Sequence, residues 1–156
     1  MKILVDADSC PAPVRELVLR AALRKKTLTI FAANRNIPDI KGEYAQMLIC
    51  PAAEGSADDC LAGLAQKGDL AVTRDIPLAE RLLEKGTSVL DDRGRIYAAE
   101  NIREKLSLRN FTVSLAENGY EFERSAVYGK RELKAFADSF DKLLTRLQNY
   151  EASGSG

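Results

Sequence analysis

The fold is decided by one stretch near the N-terminus, Lys2-Ile3-Leu4-Val5-Asp6-Ala7-Asp8-Ser9-Cys10-Pro11. Its apolar residues predict a buried strand, two aspartates come at the end of that strand, and a helix follows the proline. Carboxylates placed in this way at the edge of an α/β sheet suit a hard cation such as Mg²⁺ or Mn²⁺. Helix capping by Asp8 or Ser9 is the alternative explanation. Capping explains one of these residues but not both aspartates, so we expect a functional role for Asp6.

The size and composition of the chain indicate a single domain with a real core. The chain has 156 residues, of which 46% are hydrophobic. No apolar run approaches the roughly 18 residues of a membrane span, and no signal peptide is visible at the N-terminus. We therefore expect one cytoplasmic domain over residues 1–148 that does not contact a membrane. The small, polar tail over residues 149–156 is expected to be disordered.

Charge and residue usage exclude several classes of site. The net charge is zero, so attraction to nucleic acid requires a local basic patch. The chain has no histidine, which excludes Ser-His-Asp and Cys-His triads and zinc sites built on histidine. The three cysteines show no zinc-ligand spacing and are expected to be reduced. Asp6 and Asp8 oppose thiolate formation at Cys10, so we expect Cys10 to be structural, with Cys50 and Cys60 in the core.

Strand and helix patterns alternate along the rest of the chain. Further strands are predicted over residues 27–32, 46–50, 70–73 and 87–90, and helices over 13–26, 57–67, 76–85, 99–118 and 129–148. This alternation predicts an α/β fold with a mostly parallel sheet of about five strands, covered by helices.

The predicted topology brings distant acidic residues together. If the first strand is central and strand 70–73 lies beside it, Asp6, Asp8 and Asp75 share the crevice at the carboxyl ends of the strands. Asp58 and Asp59 begin the preceding helix and reach the crevice from the side. Their alternative role is to stabilise the N-terminus of that helix. Crowded carboxylates repel one another, so a divalent cation is implied.

Several segments together resemble a known family. They are Val5-Asp6-Ala7-Asp8-Ser9-Cys10-Pro11, Ala57-Asp58, Gly68-Asp69-Leu70-Ala71-Val72-Thr73-Arg74-Asp75-Ile76-Pro77-Leu78-Ala79 and Arg93-Gly94. Their order and spacing over about residues 1 to 147 resemble the bacterial YaiI/YqxD family, also called UPF0178 or DUF188, which is grouped with PIN-like domains. The resemblance implies a three-layer PIN-like fold. By analogy with PIN nucleases it also implies acidic site residues at Asp6, Asp58 (or Asp59) and Asp75, with Asp8 in addition.

The expected function is that of a metal-dependent phosphodiesterase, most plausibly a nuclease (hydrolase) that acts on RNA or another phosphodiester. The expected ligands of Mg²⁺ or Mn²⁺ are Asp6, Asp8, Asp58, Asp59 and Asp75, and all but Asp59 are expected to be catalytic. The expected substrate contacts are Thr73, Arg74 and Arg93, whereas Arg95 is expected to be a surface charge.

Two other functions stay open at this point. One is a non-catalytic domain that binds a metal or a nucleotide. The other is a phosphatase similar to haloacid dehalogenases, in which Asp6 is the nucleophile and Asp8 is the acid.

Overall fold

Strands and helices alternate along the chain in the computed structural model, which describes residues 1–51, 56–104, 107–108 and 127–154. The elements are β1 (Ile3–Asp6), a 3-10 turn (Ala7–Ser9), α1 (Ala12–Lys25), β2 (Thr29–Ala33), β3 (Ala45–Ile49), α2 (Ser56–Leu64), β4 (Leu70–Val72), α3 (Ile76–Glu84), β5 (Ser88–Leu90), β6 (Ile96–Tyr97) and α4 (Lys130–Gly154). Residues 99–104 and 107–108 are also helical.

The strands form one sheet with the order β3-β2-β1-β4-β5-β6. β1 is central: Val5 is the parallel register partner of Phe31 in β2 and of Val72 in β4. The chain builds the sheet outward from β1 through β2 and β3, and then crosses to the other side of β1 at β4. This reversal between β1 and β4 is the position at which α/β sheets bind ligands. The predicted adjacency of the first strand and the strand at 70–73 is confirmed.

Helices cover both faces of the sheet. Successive side chains of a strand point to opposite faces. Ile3 and Val5 accordingly belong to the core formed with α1 and α4, whereas Leu4 belongs to the core formed with α2 and α3. The predicted three-layer α/β architecture is confirmed, and it is consistent with a PIN-like fold. By the same alternation Asp6 lies on the face of Leu4, which is the face covered by α2 and α3.

The edge of the sheet differs from the prediction by one strand. β6 pairs antiparallel with β5 and adds a sixth strand to the five that the sequence predicts. With two residues, β6 is too short to produce a recognisable alternation of apolar and polar residues. The helix predicted over 99–118 is present at 99–104 and 107–108, and the rest of that prediction lies outside the described residues.

The last helix extends beyond the predicted end of the domain. α4 continues to Gly154, so residues 149–154 are helical and the prediction that they are disordered was wrong. The ammonium group of Met1 lies 2.5 Å from Oε1 of Glu151. This ion pair joins the last turns of α4 to the start of β1, a contact that the polar composition of the tail does not reveal.

One face of α4 packs against the sheet. Phe136, Phe140, Leu143 and Leu144 are buried, and the rings of Phe136 and Phe140 stack with their centroids 5.3 Å apart. The apolar residues therefore form a stripe along an otherwise polar helix. Over the described ranges of the chain, no helix is both long and apolar enough to cross a membrane.

A close contact with α4 fixes the turn after β5. Gly94 has a φ of 82°, and a Cβ atom at this position would clash with the carbonyl oxygen of Ala135. The Ser139 hydroxyl donates a 2.8 Å hydrogen bond to the carbonyl of Gly94. The turn therefore requires glycine for its backbone conformation and for the approach of α4.

Candidate functional site

Asp6 is the last residue of β1, and its side chain is held by the residue that follows β4. It is only 7% exposed. Its Oδ2 accepts a 2.9 Å hydrogen bond from the hydroxyl of Thr73, which directly follows β4. Burial raises the pKa of Asp6, the hydrogen bond from Thr73 lowers it, and the nearby charges of Asp75 and Asp8 raise it further. The net pKa is above the ordinary value of 3.8, so the structure holds this carboxylate where its charge is unfavourable.

Asp75 lies beside Asp6 because the same threonine positions it. The Thr73 oxygen accepts a 3.0 Å hydrogen bond from the backbone N–H of Asp75. Oδ1 of Asp75 accepts a 3.0 Å hydrogen bond from the N–H of Leu78 and caps the N-terminus of α3. Thr73 therefore links the two carboxylates. It is only 1% exposed, which favours a positioning role for Thr73, and the substrate contact of Thr73 stays a prediction.

Asp58 completes a group of three carboxylates, which we call the acidic cluster: Asp6, Asp58 and Asp75. Asp58 is half-buried in the first turn of α2. Burial and the neighbouring Asp75 raise its pKa to about 6. The two carboxyl groups are close enough to share a hydrogen bond when Asp58 is protonated, and the charge of Asp6 adds to the effect. The three predicted residues that follow β1, begin α2 and follow β4 are therefore brought together.

The other two predicted ligands point elsewhere. Asp59 is exposed and forms an ion pair with Arg81, with 2.9 Å between Oδ1 and Nη1. Asp8 is also exposed, and its Oδ2 accepts a 2.9 Å hydrogen bond from the backbone N–H of Asn34 after β2. Adjacent helical residues face different directions, which separates Asp59 from Asp58. Of the five predicted ligands, Asp6, Asp58 and Asp75 therefore lie together, whereas the carboxylates of Asp8 and Asp59 contact other partners.

Among the described residues the acidic cluster forms no ion pair, although the charge of Arg81 lowers the pKa of Asp58. In the described ranges, neither lysine nor arginine lies within 4.0 Å of the carboxylate oxygens of Asp6, Asp58 or Asp75. Within those same ranges, however, no three His, Cys, Asp or Glu side chains are arranged closely enough to hold a metal ion. A ready-made cage of protein ligands is therefore not present among the described residues.

This donor set fits Mg²⁺ or Mn²⁺ better than it fits Ca²⁺. Mg²⁺ keeps several waters and is usually bound by one or two carboxylates together with phosphates of the substrate. Ca²⁺ takes six to eight oxygen ligands, a number that the three carboxylates of the acidic cluster would reach only by binding in bidentate fashion or with added waters. The Asp58–Asp75 pair, with Asp6 beside it, would hold Mg²⁺ or Mn²⁺ through carboxylate oxygens, with water or phosphate as the other ligands.

Two predicted phosphate-binding arginines lie next to the acidic cluster, in a separate cleft. The cleft has a volume of about 340 Å³ and is lined by Arg74, Ile76, Asp91, Asp92, Arg93, Arg95 and Tyr97. Nε of Arg74 lies 3.7 Å from Oδ1 of Asp92. The guanidinium of Arg93 lies 5.9 Å from the centre of the Tyr128 ring. We call this the arginine cleft.

Asp92 is a buried residue that the sequence did not single out as part of a site. It is 2% exposed, and burial raises its pKa above the ordinary value. Its Oδ1 has no hydrogen-bond partner within the residues described. The sequence did contain a signal for Asp92 as a candidate site residue. Asp91 and Asp92 follow β5 at the carboxyl edge of the sheet, as Asp75 follows β4.

Two of the three cysteines lie in the core, as predicted, and the third is partly buried. Cys10 and Cys50 are buried, and Cys60 packs against the core that contains Cys50. Burial, with the charge of Asp6, raises the pKa of Cys10 far above its usual range. A thiol in this state is a poor nucleophile.

Comparison with known proteins identifies relatives over nearly the whole chain. The chain is 45% identical to a UPF0178 protein of Treponema denticola over 146 residues, which cover 94% of this chain and 93% of that protein. It is 44% identical to a UPF0178 protein of Myxococcus xanthus, covering 97% of this chain and 99% of that protein. It is 40% identical to the UPF0178 protein PA5247 of Pseudomonas aeruginosa, covering 95% and 92%. No solved structure shows significant similarity.

The acidic cluster and its supporting strands lie within the region shared with these relatives. The sequence profile of the uncharacterised YaiI/YqxD family, DUF188, matches residues 4–146. This match and the three relatives agree with the resemblance carried by the segments around Asp6 and Asp75. The chain therefore belongs to the YaiI/YqxD family (UPF0178, DUF188).

Proposed function

We propose that this protein is a phosphodiesterase that depends on Mg²⁺ or Mn²⁺ and cleaves RNA or a related phosphodiester. The observation that carries the proposal is the acidic cluster, in which carboxylates that end β1, begin α2 and follow β4 lie together at one edge of the sheet. Partial burial beside Asp75 and Asp6 raises the pKa of Asp58 to about 6. Carboxylates that raise one another's pKa become favourable when a cation lies among them. Their position at the carboxyl ends of β1 and β4, where α/β sheets bind ligands, supports a functional role.

The residues of the acidic cluster have separate tasks. Thr73 holds Asp6 in one orientation, and the N–H of Leu78 holds Asp75, so two of the three carboxylates are fixed before a ligand arrives. Asp58 releases its proton when a cation is bound. A divalent cation in such a site neutralises charge on the phosphoryl oxygens and activates water for attack on phosphorus. The cluster lacks a complete cage, so we expect the substrate phosphate to supply part of the coordination.

The direct test compares two neighbouring aspartates of α2. The variants Asp58→Asn and Asp59→Asn are incubated with a labelled single-stranded RNA oligomer and Mn²⁺, next to the wild-type protein. We expect Asp58→Asn to cleave about tenfold more slowly or worse, because it removes a ligand of the cation. Asp59→Asn changes only an exposed ion pair and is expected to stay within about twofold of wild type. Cleavage that persists in EDTA, or equal rates for all three proteins, would contradict the proposal.

Metal binding should depend on pH through Asp58. The pKa of about 6 means that its carboxyl group is protonated below that pH and must lose the proton to bind a cation. We expect the affinity for Mn²⁺ to fall by up to about tenfold per pH unit below pH 6, and to be nearly constant above about pH 7. Calorimetric titrations with Mn²⁺ between about pH 5 and about pH 7.5 measure this. Asp58→Asn, which has no proton to release at this position, should bind more weakly and with a flatter pH dependence.

A domain that binds a cation or a nucleotide without catalysis is the second candidate. It is favoured by one observation, which is that the net charge of the chain is zero and provides no general attraction to a polyanionic substrate. The same calorimetric titration distinguishes the two functions. Mn²⁺ binding that is lost in Asp58→Asn, together with no turnover of RNA, DNA or nucleotides, would support this candidate.

The aspartate-nucleophile phosphatase receives less support. That mechanism needs Asp8 as an acid beside Asp6. Asp8 instead accepts a hydrogen bond from Asn34 and lies near Arg35, with 4.0 Å between the charged atoms. A trapped aspartyl-phosphate on Asp6 would reverse this preference.

A further inference from the structure

The loop after β4 divides its side chains between two sites. Thr73 donates a hydrogen bond to Asp6 of the acidic cluster. Asp75 belongs to the acidic cluster and interacts with Asp58. Arg74 and Ile76, which alternate with them in sequence, line the arginine cleft. None of Asp6, Asp58 and Asp75 lines that cleft. The acidic cluster and the arginine cleft therefore lie on opposite sides of one short loop. The first presents carboxylates, and the second presents guanidinium groups.

The arginines present the accessible charge of the cleft. The side chain of Arg74 is 50% exposed, whereas that of its partner Asp92 is 2% exposed. Arg95 is exposed, and within the described ranges no carboxylate oxygen lies within 4.0 Å of its guanidinium. A solute that enters the cleft consequently meets guanidinium groups before it meets carboxylates.

The two aspartates of the cleft, Asp91 and Asp92, interact with other groups of the protein. Oδ1 of Asp91 accepts hydrogen bonds of 2.9 Å from the backbone N–H groups of Arg93 and Arg95, which fixes the turn that carries both arginines. Asp92 lies behind Arg74 and attracts it across 3.7 Å, too far for a hydrogen bond. Arg74 thus keeps donors for another acceptor, and the buried carboxylate holds it over the cleft.

The surroundings of Arg93 make the same turn rigid. Its guanidinium lies against the Tyr128 ring, and the Tyr128 hydroxyl donates a 2.7 Å hydrogen bond to the carbonyl of Asp92. Gly94 packs against α4, as described above. Arg93 and Arg95 are therefore carried by a fixed backbone, which reduces the entropy lost when they bind an anion. Planar guanidinium groups that line one cleft suit a phosphate group.

We propose that the arginine cleft binds a phosphate group of the substrate next to the phosphate held at the acidic cluster, through Arg74, Arg93 and Arg95. This inference rests on the proposed function and adds the class of substrate to it. Two adjacent phosphate positions fit a polynucleotide, which repeats phosphates along its backbone. A phosphomonoester or a mononucleotide monophosphate has one phosphate and fills only one of the two positions.

The first test uses inorganic phosphate and metal-free protein in EDTA, so that it requires neither a cation nor catalysis. Binding is followed by the NMR shifts of backbone amides in wild type, Arg95→Gln and Arg146→Gln, the last being an exposed arginine of α4 outside the cleft. We expect shifts at residues 91–97 in wild type and Arg146→Gln, and an affinity at least about tenfold lower in Arg95→Gln. Equal affinities in all three proteins, or shifts confined to other regions, would overturn the proposal.

A second measurement separates the cleft from the acidic cluster. In EDTA, Asp58→Asn should bind inorganic phosphate with the affinity of wild type. In RNA cleavage, Arg95→Gln should raise KM for an RNA oligomer and retain kcat within about twofold. If RNA is cleaved but Arg95→Gln changes neither phosphate affinity nor KM, the cleft is not a subsite and the proposed function stands. If phosphate binds at residues 91–97 but no RNA is cleaved with Mn²⁺, the phosphate site stands, while the substrate class and the proposed function fall together.

Discussion

Replacing Asp6 by Asn is expected to lower Mn²⁺-dependent RNA cleavage by at least about 100-fold while the protein remains folded. The amide is nearly the same size as the carboxylate, and its oxygen can still accept the hydrogen bond from Thr73. What the variant lacks is the negative charge at the carboxyl end of β1. Initial rates on a single-stranded RNA oligomer, measured at saturating Mn²⁺, give the result directly.

Asp6→Asn should also have a higher free energy of unfolding than wild type at neutral pH. Burial raises the pKa of Asp6 in the folded state, so the folded protein favours the protonated form more than the unfolded chain does. For an acid shifted in this direction, the free energy of unfolding falls as pH rises through the unfolded-state value of 3.8 toward the raised folded-state value. The asparagine side chain does not titrate, and the advantage of Asp6→Asn should therefore grow with pH.

Urea unfolding of wild type and Asp6→Asn at about pH 4 and about pH 7.5 tests this second part. A loss of activity together with a gain in stability is the behaviour of a functional residue kept at a cost to the fold. If Asp6→Asn unfolds at lower urea than wild type at both pH values, Asp6 has a structural role instead. If it cleaves RNA as fast as wild type, Asp6 takes no part in the reaction.

The adjacency of β1 and β4 could be predicted from the sequence because both segments are apolar runs that end in aspartates. Parallel strands place their carboxyl ends at one edge, so Asp6 and Asp75 were expected to meet, and they do. The sequence does not show in the same way which direction a side chain at the start of a helix faces. Asp58 and Asp59 are adjacent and chemically identical, yet only Asp58 faces the sheet, whereas Asp59 pairs with Arg81.

The arginine cleft shows a different limit of the sequence. Arg74 could be placed near the crevice because it follows β4. Arg95 was expected to be a surface charge and is exposed, but the sequence did not show that it lines the same cleft as Arg74. The position of Arg95 depends on β6, a two-residue strand, and on the close packing of α4 against Gly94. The contact between Gly94 and α4 connects residues about 40 positions apart in the chain, and no local pattern encodes it. Tertiary packing thus decides which charges become a site.

Replacing Asp69 by Ala is expected to lower the free energy of unfolding by about 3–5 kcal/mol, the largest effect on stability that we predict. Asp69 is 3% exposed and precedes β4, at the end of the sheet opposite the acidic cluster. Its Oδ2 lies 2.6 Å from Nζ of Lys2 and accepts a 2.9 Å hydrogen bond from the N–H of Gln66. Its Oδ1 accepts a 3.0 Å hydrogen bond from the N–H of Lys2.

The loss is large because Asp69→Ala leaves donors and a charge without a partner. The ammonium of Lys2 is mostly buried, with 17% of the side chain exposed, and it would lose its counter-ion in a region of low dielectric. Two backbone N–H groups that now bind the carboxylate would also be unsatisfied. They belong to the start of β1 and to the segment before β4, so the change acts on the two central strands.

The matched control is Asp59→Ala, which breaks the Asp59–Arg81 pair at nearly the same distance but in solvent. Exposed pairs contribute about 0–1 kcal/mol, so urea unfolding should show a small shift for Asp59→Ala and a large one for Asp69→Ala. Similar midpoints for the two variants would mean that the Lys2–Asp69 pair does not stabilise the sheet. Because Asp69 lies away from the acidic cluster, the Asp69→Ala protein that remains folded at low temperature should retain the Mn²⁺ affinity of wild type. A loss of that affinity at full folding would instead show that the two ends of β4 are coupled.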